Sequence, residues 1–357
     1  MMNSTAHRYA RRIAMRGEFG QVWRGLIRLA WLFMAATLAV GARADETLKI
    51  AAFDGAFVNF PLYVATDLHL FDKHGVHAEL VYGLGSQAPT MVMSGATQFG
   101  GFAVEHGLLL MGKGQQLKLL VLCQSNPPFD LIVRKDIALP NLAAGFPKSV
   151  TDLKGLRLGI SAPGASADTG LRLLLKQAGL DPEHDVKIVS IGDAMTQLAA
   201  LQNRTVDGTM AFEPIQTQAV LGTQAYRSVV NLEKGDTGPE IYREYAFNGL
   251  FARKDYIDAH PAQVKAVVAA IVEAEQVIND PARVDDVTDV AAKHMHGIPH
   301  DLLKKYVTTY RSVFEPVASP LAIANVNRFV IFQNQLSEPI PYERAVDTRY
   351  MPKTRPW

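Results

Sequence analysis

The stretch SAPGASADTG begins at Ser161 and leads directly into LRLLLKQAGL, whose apolar spacing is that of a helix. It offers the hydroxyl groups of Ser161, Ser166 and Thr169, and its glycines leave the backbone open to close approach. The first amide groups of a helix lack partners, and the aligned peptide dipoles favour an anion or another acceptor there. The stretch therefore predicts either a polar ligand site or an ordinary helix start capped by Ser166 or Asp168.

Similar combinations of small, polar and aromatic residues follow other segments that have the composition of strands. They occupy positions 51–59, 82–89, 100–107, 123–130 and 210–216. Ligands of open α/β sheets bind beyond the carboxyl ends of the strands. Because such ends recur in both halves of the chain, they predict one cleft between two sheets.

Glu213 is the acidic side chain at the last of these strand ends. One interpretation is an acid at a helix start, stabilised by the helix dipole. The other is a carboxylate in the cleft, which suits a donor-rich ligand group such as an amine, hydroxyl or amidine. An anion suits it poorly unless positive charge lies nearby. Together with Glu105, Glu213 also offers the paired carboxylates of an acid–base enzyme.

Two further patterns contain residue types that can carry chemistry. In GISAP, Pro163 stands where a Gly-x-Ser-x-Gly nucleophile elbow has its last glycine, and His106 is the one histidine at a predicted strand end. The cluster KHMHGIPH contains His294, His296 and His300, but it does not follow a predicted strand. A zinc site needs several converging ligands, so we expect a solvated helix end there and no metal.

Composition excludes several classes of protein. The formal net charge is +1, whereas nucleic-acid binding calls for a basic stripe or a strongly positive domain. The single cysteine, Cys123, excludes an internal disulfide and a cysteine-rich metal site.

The amino-terminal segment has the pattern of an export signal. Arginines precede the apolar run LAWLFMAATLAV, and the small residues Ala42 and Ala44 follow it. This order predicts cleavage after about Ala44, and the run is shorter than the roughly 20 residues of a membrane span. An amphipathic or anchoring helix is the alternative. The start codon, Met1 or Met15, and the export route, general secretory or twin-arginine, stay open.

Strand-like and helix-like segments alternate from residue 47 onward. This rhythm predicts α/β architecture, with mostly parallel sheets covered by helices on both faces. The pattern restarts near residue 150 and returns to its first copy near residue 247. We therefore expect an export signal over 1–44, a first lobe over 46–133 plus 247–357, and a second lobe over 134–246.

Four segments in this order carry a resemblance to a known family: FPLYVATDLHLFDKHGVHAELV, MVMSGATQFGGF, TDLKGLRLGISAPGASADTGLRLLLKQAGLD and LAALQNRTVDGTMAFEPI. From about residue 47 to about residue 345, the chain resembles periplasmic substrate-binding proteins of ABC importers. The branch it resembles binds nitrate, sulfonates or taurine and includes binders of thiamine-precursor pyrimidines. The resemblance implies a two-lobed type II periplasmic binding protein fold with two crossover strands and hinge closure on the ligand. It also implies delivery of that ligand to a membrane permease.

By position, the resemblance implies ligand contacts in the interlobe cleft. The candidates are Phe57, Asn59, Ser86, Phe102, Gln124, Ser161, Ser166 and Glu213. Phe212 replaces the tryptophan common beside the acid–proline pair, and the cysteine-rich motif of the related yeast pyrimidine synthase is absent, so sulfonate, nitrate-like and pyrimidine or aromatic ligands all stay open. We expect a monomeric periplasmic binding protein without a cofactor, which meets the membrane only through its permease. A pyrimidine-forming or hydrolytic enzyme on the same scaffold is the alternative.

Overall fold

The computed structural model describes residues 47–83, 87–192, 194–213, 215–235 and 237–357. The predicted export signal, the candidate Ser86 and the proline of the acid–proline pair lie outside these residues. Thr47–Trp357 form one folded unit.

The first sheet has five strands in the order β2-β1-β3-β10-β4. Its strands are β1 Leu48–Ala52, β2 Ala78–Tyr82, β3 Phe99–Ala103, β4 Leu117–Gln124 and β10 Asn248–Arg253. Strand β1 runs parallel to β2 and β3, whereas β10 is antiparallel to both of its neighbours. The sheet is therefore mostly parallel, with one strand that arrives from a distant part of the chain.

The second sheet repeats this plan in the order β7-β6-β8-β5-β9. Its strands are β5 Phe129–Arg134, β6 Arg157–Ile160, β7 Lys187–Ser190, β8 Gly208–Phe212 and β9 Tyr226–Asn231. Strand β6 is parallel to β7 and β8, and β5 is antiparallel to β8 and β9. The two sheets with their flanking helices form the periplasmic binding protein fold that the resemblance implies.

Strand β5 corrects one predicted boundary. The first lobe was expected to run to residue 133, but β5 pairs along its length with β8 and β9 of the second sheet. The chain therefore crosses between the sheets after β4 ends at Gln124, and it returns after β9 ends at Asn231. The boundary was misplaced because β5 has the composition of a buried strand in either sheet, and only its distant partners decide which.

Helices cover the sheets and fill most of the carboxyl-terminal part. The α-helices are Phe60–Asp67, Leu70–Lys73, Gln87–Ser94, Val104–Gly112, Lys148–Thr151, Ser166–Gln177, Ala194–Gln202, Lys254–Ala259, Pro261–Asn279, Val284–His294, His300–Tyr310, Pro320–Phe332 and Tyr342–Ala345, with a π-helical turn at Thr217–Gly222. Short 3-10 turns lie at Phe57–Asn59, Leu142–Ala144, Glu240–Tyr242, Pro281–Arg283 and Arg311–Val313.

The helix Pro261–Asn279 shows how sequence pattern positions these elements. Proline at its first turn lacks an N–H that would have no partner there. Val264, Val267 and Ile271 recur at helical spacing and are fully buried in the core of the first lobe. In the described part of the chain, no helix combines the length and apolar character needed to cross a membrane.

Candidate functional site

The helix Ser166–Gln177 begins within the stretch SAPGASADTG, and its start meets the other lobe. The Ser166 hydroxyl donates a hydrogen bond to the carboxyl group of Glu105. Glu105 lies in the first turn of Val104–Gly112, the helix that follows β3 of the first sheet. The ends of β3 and β6 therefore face each other, as a shared cleft requires.

The other polar groups of this stretch stabilise the turn itself. The Asp168 carboxylate accepts from the amide of Gly164 at 2.8 Å and from Nε of Arg172 at 2.7 Å. The Thr169 hydroxyl donates to backbone carbonyls at the start of its own helix. Ser161 is half-buried, and its carbonyl accepts from the Ser190 hydroxyl at 3.2 Å. The N-cap is Ala165, without a side-chain cap bond, so the predicted cap by Ser166 or Asp168 is wrong. Asp168 instead orders the turn before the helix through its bond from the Gly164 amide.

Two of the candidate contacts, Asn59 and Phe57, stabilise the first lobe. Asn59 is fully buried; its Oδ1 accepts from the Phe53 amide at 2.7 Å, and its Nδ2 donates to the Gly101 carbonyl at 3.2 Å. It therefore ties the end of β1 to β3. Phe57 packs on Tyr306 with ring centroids 3.9 Å apart and is 2% exposed.

Phe102 corrects a prediction. Its ring is 0% exposed and stacks on Phe251 at 4.5 Å between centroids. It belongs to the same buried apolar cluster as Phe251, so the ring packs against protein. The sequence marks the strand end correctly, but it does not tell which face of the strand this ring occupies.

Gln124 and Glu213 belong to a polar network that joins the lobes. We call it the interlobe acceptor cluster and define it as Gln124, Asp130, Glu213, Gln216, Asn231, Glu233, Tyr306 and Tyr310. All eight residues are at least nine-tenths buried. The end of β4 and the helix His300–Tyr310 contribute residues from the first lobe. Strand β5, the ends of β8 and β9, and the residues directly after β8 and β9 contribute the others.

Hydrogen bonds connect the two sides of this cluster. Tyr306 donates to Oε1 of Glu233 at 2.6 Å, and Nε2 of Gln124 reaches the same oxygen at 3.4 Å. The Tyr310 hydroxyl receives bonds from Gln216 at 2.6 Å and from Asn231 at 3.0 Å. Asn231 also donates to Asp130 at 3.0 Å. These bonds form two groups, one around Glu233 and one around Tyr310, and the second joins Tyr310 of the first lobe to residues of the second lobe. Among the described residues, Glu213 accepts a hydrogen bond only from the Thr217 amide, at 3.4 Å, and is linked to the other carboxyls through charge.

Four oxygens of the cluster have no hydrogen-bond partner and are sealed from water. They are Oε1 of Gln124, Oε1 of Glu213, Oε1 of Gln216 and Oε2 of Glu233. A buried acceptor without a donor costs about 1–3 kcal/mol, and folded proteins seldom leave such groups together. The cluster thus has a local excess of acceptors.

Burial governs the electrostatics of its carboxyl groups. Burial raises the pKa of Asp130 to about 7, against the opposing hydrogen bonds from Ser228 and Asn231. It raises the pKa of Glu213 to about 8, and the charge of Asp130 acts in the same direction. Burial and the neighbouring Glu213 carboxyl raise the pKa of Glu233 well above its ordinary value. Protonated carboxyls are therefore favoured near neutral pH when nothing else occupies the cluster.

Positive charge is scarce around these carboxyls. Within the described residues, no lysine, arginine or histidine forms an ion pair with Asp130, Glu213 or Glu233; Lys234 acts on Asp130 only through its longer-range field. The same described ranges contain no group of three or more His, Cys, Asp or Glu suited to a metal ion. His294 of the histidine cluster stacks on Tyr63 at 4.1 Å between centroids, so it packs against the first lobe.

The sequence predicts Gln124 and Glu213 as ligand contacts, but it does not indicate the other residues that pack with them in the cluster. Asp130 lies on β5 and Glu233 lies in the second crossing segment, and nothing local distinguishes either acid from others in the chain. Tyr306 and Tyr310 do have a local signal, since residues four apart lie on one face of a helix. That spacing is equally typical of a core face, and nothing local indicates the carboxyls opposite.

The fold and the facing strand ends define the class: a two-lobed α/β protein of the periplasmic binding type. Residues 43–292, well over half of the chain, match the NMT1-like family. The chain belongs to this family.

Two proteins with binding functions in their names illustrate the likeness. The nitrate/nitrite binding protein NrtA of Nostoc sp. is 30% identical over 129 residues, which are 36% of this chain and 28% of that protein. The periplasmic aliphatic sulphonate binding protein SsuA of Escherichia coli superposes with a TM-score of 0.65 at 16% identity, over 86% of this chain and 99% of its own. The chain thus spans less than a third of the nitrate-binding relative, and the second likeness shows the fold alone.

An enzyme also shares this fold. The desulfurization enzyme DSZB superposes with a TM-score of 0.62 at 18% identity, over 85% of this chain and 97% of its own. Fold alone therefore does not separate capture of a solute from its conversion.

Proposed function

We propose that this chain is an exported solute-binding protein, which captures a small organic molecule between its lobes and delivers it to an ABC permease. The observation that supports this most directly is the interlobe acceptor cluster, because its groups come from both lobes and several lack partners. A ligand at this place would be gripped from two sides, and its contacts would favour the closed form.

The lobes would divide at the two segments where the chain crosses between the sheets, 125–128 and 232–247. Each segment leads from the end of a strand in one sheet to a strand of the other, β4 to β5 and β9 to β10. Segments of this kind serve as hinges in proteins that close around ligands. The permease would then recognise the closed pair of lobes.

Export belongs to the same proposal. The basic and apolar amino-terminal pattern, with cleavage after about Ala44, would deliver a monomeric mature protein to the periplasm. The family resemblance leaves sulfonates, nitrate-like anions and pyrimidine-like or aromatic molecules open as ligand classes, and the charge of the binding site decides among them. Recognition without bond chemistry distinguishes this function from that of an enzyme on the same scaffold.

Native mass spectrometry of freshly purified mature protein tests the proposal. We expect a small solute to remain bound, to dissociate on activation, and to raise the melting temperature when it is returned to the emptied protein. Recovery of the solute unchanged after long incubation supports binding. Conversion of the solute to a product would instead establish an enzyme, and a protein that neither retains a solute nor responds to solute panels would contradict capture.

A further inference from the structure

The interlobe acceptor cluster has an excess of acceptors that restricts which ligand it can hold. The unpartnered oxygens of Gln124 and Glu233 belong to side chains that are 0% exposed, so they lie away from bulk solvent. Satisfying four acceptors needs several donors at one place. These are either protons held by the carboxyl groups themselves or the N–H groups of a guest.

The charges of the cluster favour the same kind of ligand, one rich in N–H donors, as its unpartnered acceptors do. Three carboxyl groups share the cluster, and within the described residues none is in an ion pair with a basic side chain. An anion placed here would meet like charge in a medium of low dielectric. A cationic nitrogen group would be attracted to the three carboxyls and would offset the penalty that burial places on their charged forms.

The position of the cluster explains how such a group could enter. Glu213 and Gln216 belong to the second lobe, whereas Gln124, Tyr306 and Tyr310 belong to the first. Separation of the lobes would therefore expose both halves of the cluster at once. The Ser166–Glu105 hydrogen bond also joins the lobes, and it would open in the same motion.

We propose that the interlobe acceptor cluster is the recognition site for a cationic, N–H-rich group of the solute, such as a protonated amine, an amidine or a guanidine. The inference rests on the proposed function, since it names the ligand class of the same binding protein. Glu213 and Glu233 accept from the cationic group, and the amide oxygens of Gln124 and Gln216 accept from its remaining N–H bonds. Anionic solutes are rejected by the same carboxyls.

Titration calorimetry and thermal shift with defined probes test this inference on the emptied mature protein. The cationic probes are methylguanidinium, benzamidinium and ethylammonium as chlorides; the anionic probes are nitrate and methanesulfonate as sodium salts. We expect at least one cationic probe to bind and to raise the melting temperature, and neither anion to do so at matched ionic strength.

Two variants test whether binding of the cationic probe depends on the cluster, and a third variant serves as the control. Glu213→Gln removes one carboxylate of the cluster with almost no change of shape, and we expect the cationic probe to bind about ten- to a hundredfold more weakly. If Glu213→Gln folds poorly, Asp130→Asn removes a different carboxylate of the cluster, on β5, and we expect it to weaken binding of the cationic probe as well. Glu79→Gln removes an exposed carboxylate far from the cluster, so it leaves probe affinity unchanged.

The outcomes separate this inference from the function on which it rests. Binding of an anion with no response to any cation overturns the cationic site but leaves solute capture intact. The cationic site is also overturned if no probe binds, or if a cation binds but Glu213→Gln and Asp130→Asn do not weaken its binding. In either case the carboxyl protons alone would satisfy the unpartnered acceptors. A solute found by native mass spectrometry still supports capture in those cases.

Discussion

The carboxyl groups of Asp130, Glu213 and Glu233 hold their protons more tightly in the folded chain than in the unfolded chain, because burial penalises their charged forms. A group whose pKa is raised by folding stabilises the protein fully below its unfolded pKa. That contribution is lost as the pH rises through the folded pKa. The relevant window for Asp130 and Glu213 therefore runs from about pH 4 to about pH 8.

The first prediction follows from the upward direction of these pKa shifts on folding. The free energy of unfolding of the empty protein should fall between pH 5 and pH 8, with a contribution on the order of 2 kcal/mol from each of Asp130 and Glu213. Urea unfolding at a series of pH values measures it. Glu213→Gln should flatten the profile, whereas the exposed Glu79→Gln should not. An identical slope in the wild type and Glu213→Gln would show that Glu213 ionises normally in the folded protein.

The second prediction concerns Asn59, whose amide group satisfies two buried backbone groups. Asn59→Ala leaves the Phe53 N–H and the Gly101 carbonyl without partners, so we expect a loss of about 2–4 kcal/mol of stability. Urea unfolding at constant pH measures the loss. Gln116→Ala, at an exposed amide that bonds only locally, should change stability by less than about 0.5 kcal/mol. Equal effects of the two substitutions would refute a structural role for Asn59.

At the scale of elements, the start of the helix Ser166–Gln177 has two functions that its sequence does not separate. Asp168 orders the turn before the helix, whereas Ser166 reaches across to Glu105 of the other lobe. Both are short polar residues in the first turn of the same helix. Only the approach of the helix Val104–Gly112 distinguishes their roles.

The third prediction tests this contact between helix starts. Ser166→Ala removes one hydrogen bond of the closed form, so we expect the ratio of open to closed molecules to rise roughly fivefold, for about 1 kcal/mol. Energy transfer between labels at Glu79→Cys and Lys187→Cys, one in each lobe, reports that ratio in single molecules. Thr169→Ala deletes a hydroxyl that bonds only within its own helix start, and it should leave the ratio unchanged. A shift of similar size in both variants would rule out the interlobe contact as the cause.

At the scale of the whole molecule, two sheets of the same plan meet through residues that lie far apart in the chain. Glu233 receives bonds from Gln124 and Tyr306, which are 109 and 73 positions away. Such contacts couple the relative placement of the lobes to whatever occupies the space between them. A solute that binds only the closed form stabilises the fold by about 2.7 kcal/mol at a hundredfold excess over its dissociation constant.

The fourth prediction uses that coupling. The double variant Ser166→Ala/Glu213→Ala should keep the fold, as judged by circular dichroism, and lose the rise in melting temperature that the co-purified solute produces in the wild type. Differential scanning fluorimetry with and without the solute measures the rise. The single variant Thr169→Ala should retain it. A full rise in the double variant would place the ligand elsewhere.

Much of the architecture follows from the order of local patterns. Alternating strand and helix segments, the restart near residue 150 and the return near residue 247 all predict two α/β lobes, because each element leaves its periodicity in a short window. The polar strand ends likewise predict that Ser166 and Glu213 lie between the lobes. These inferences need only the rule that ligands meet parallel sheets at their carboxyl edges.

Tertiary structure alone decided which sheet takes β5, which face of β3 carries Phe102, and which groups surround Glu213. A strand of suitable composition pairs equally well in either sheet until its partners are present, and an aromatic ring at a strand end fits a core or a cleft. The grouping of Asp130, Glu213 and Glu233 depends on crossing segments and on a helix near the end of the chain. Local sequence records the shape of each element, but contacts between distant elements arise only when the whole chain packs.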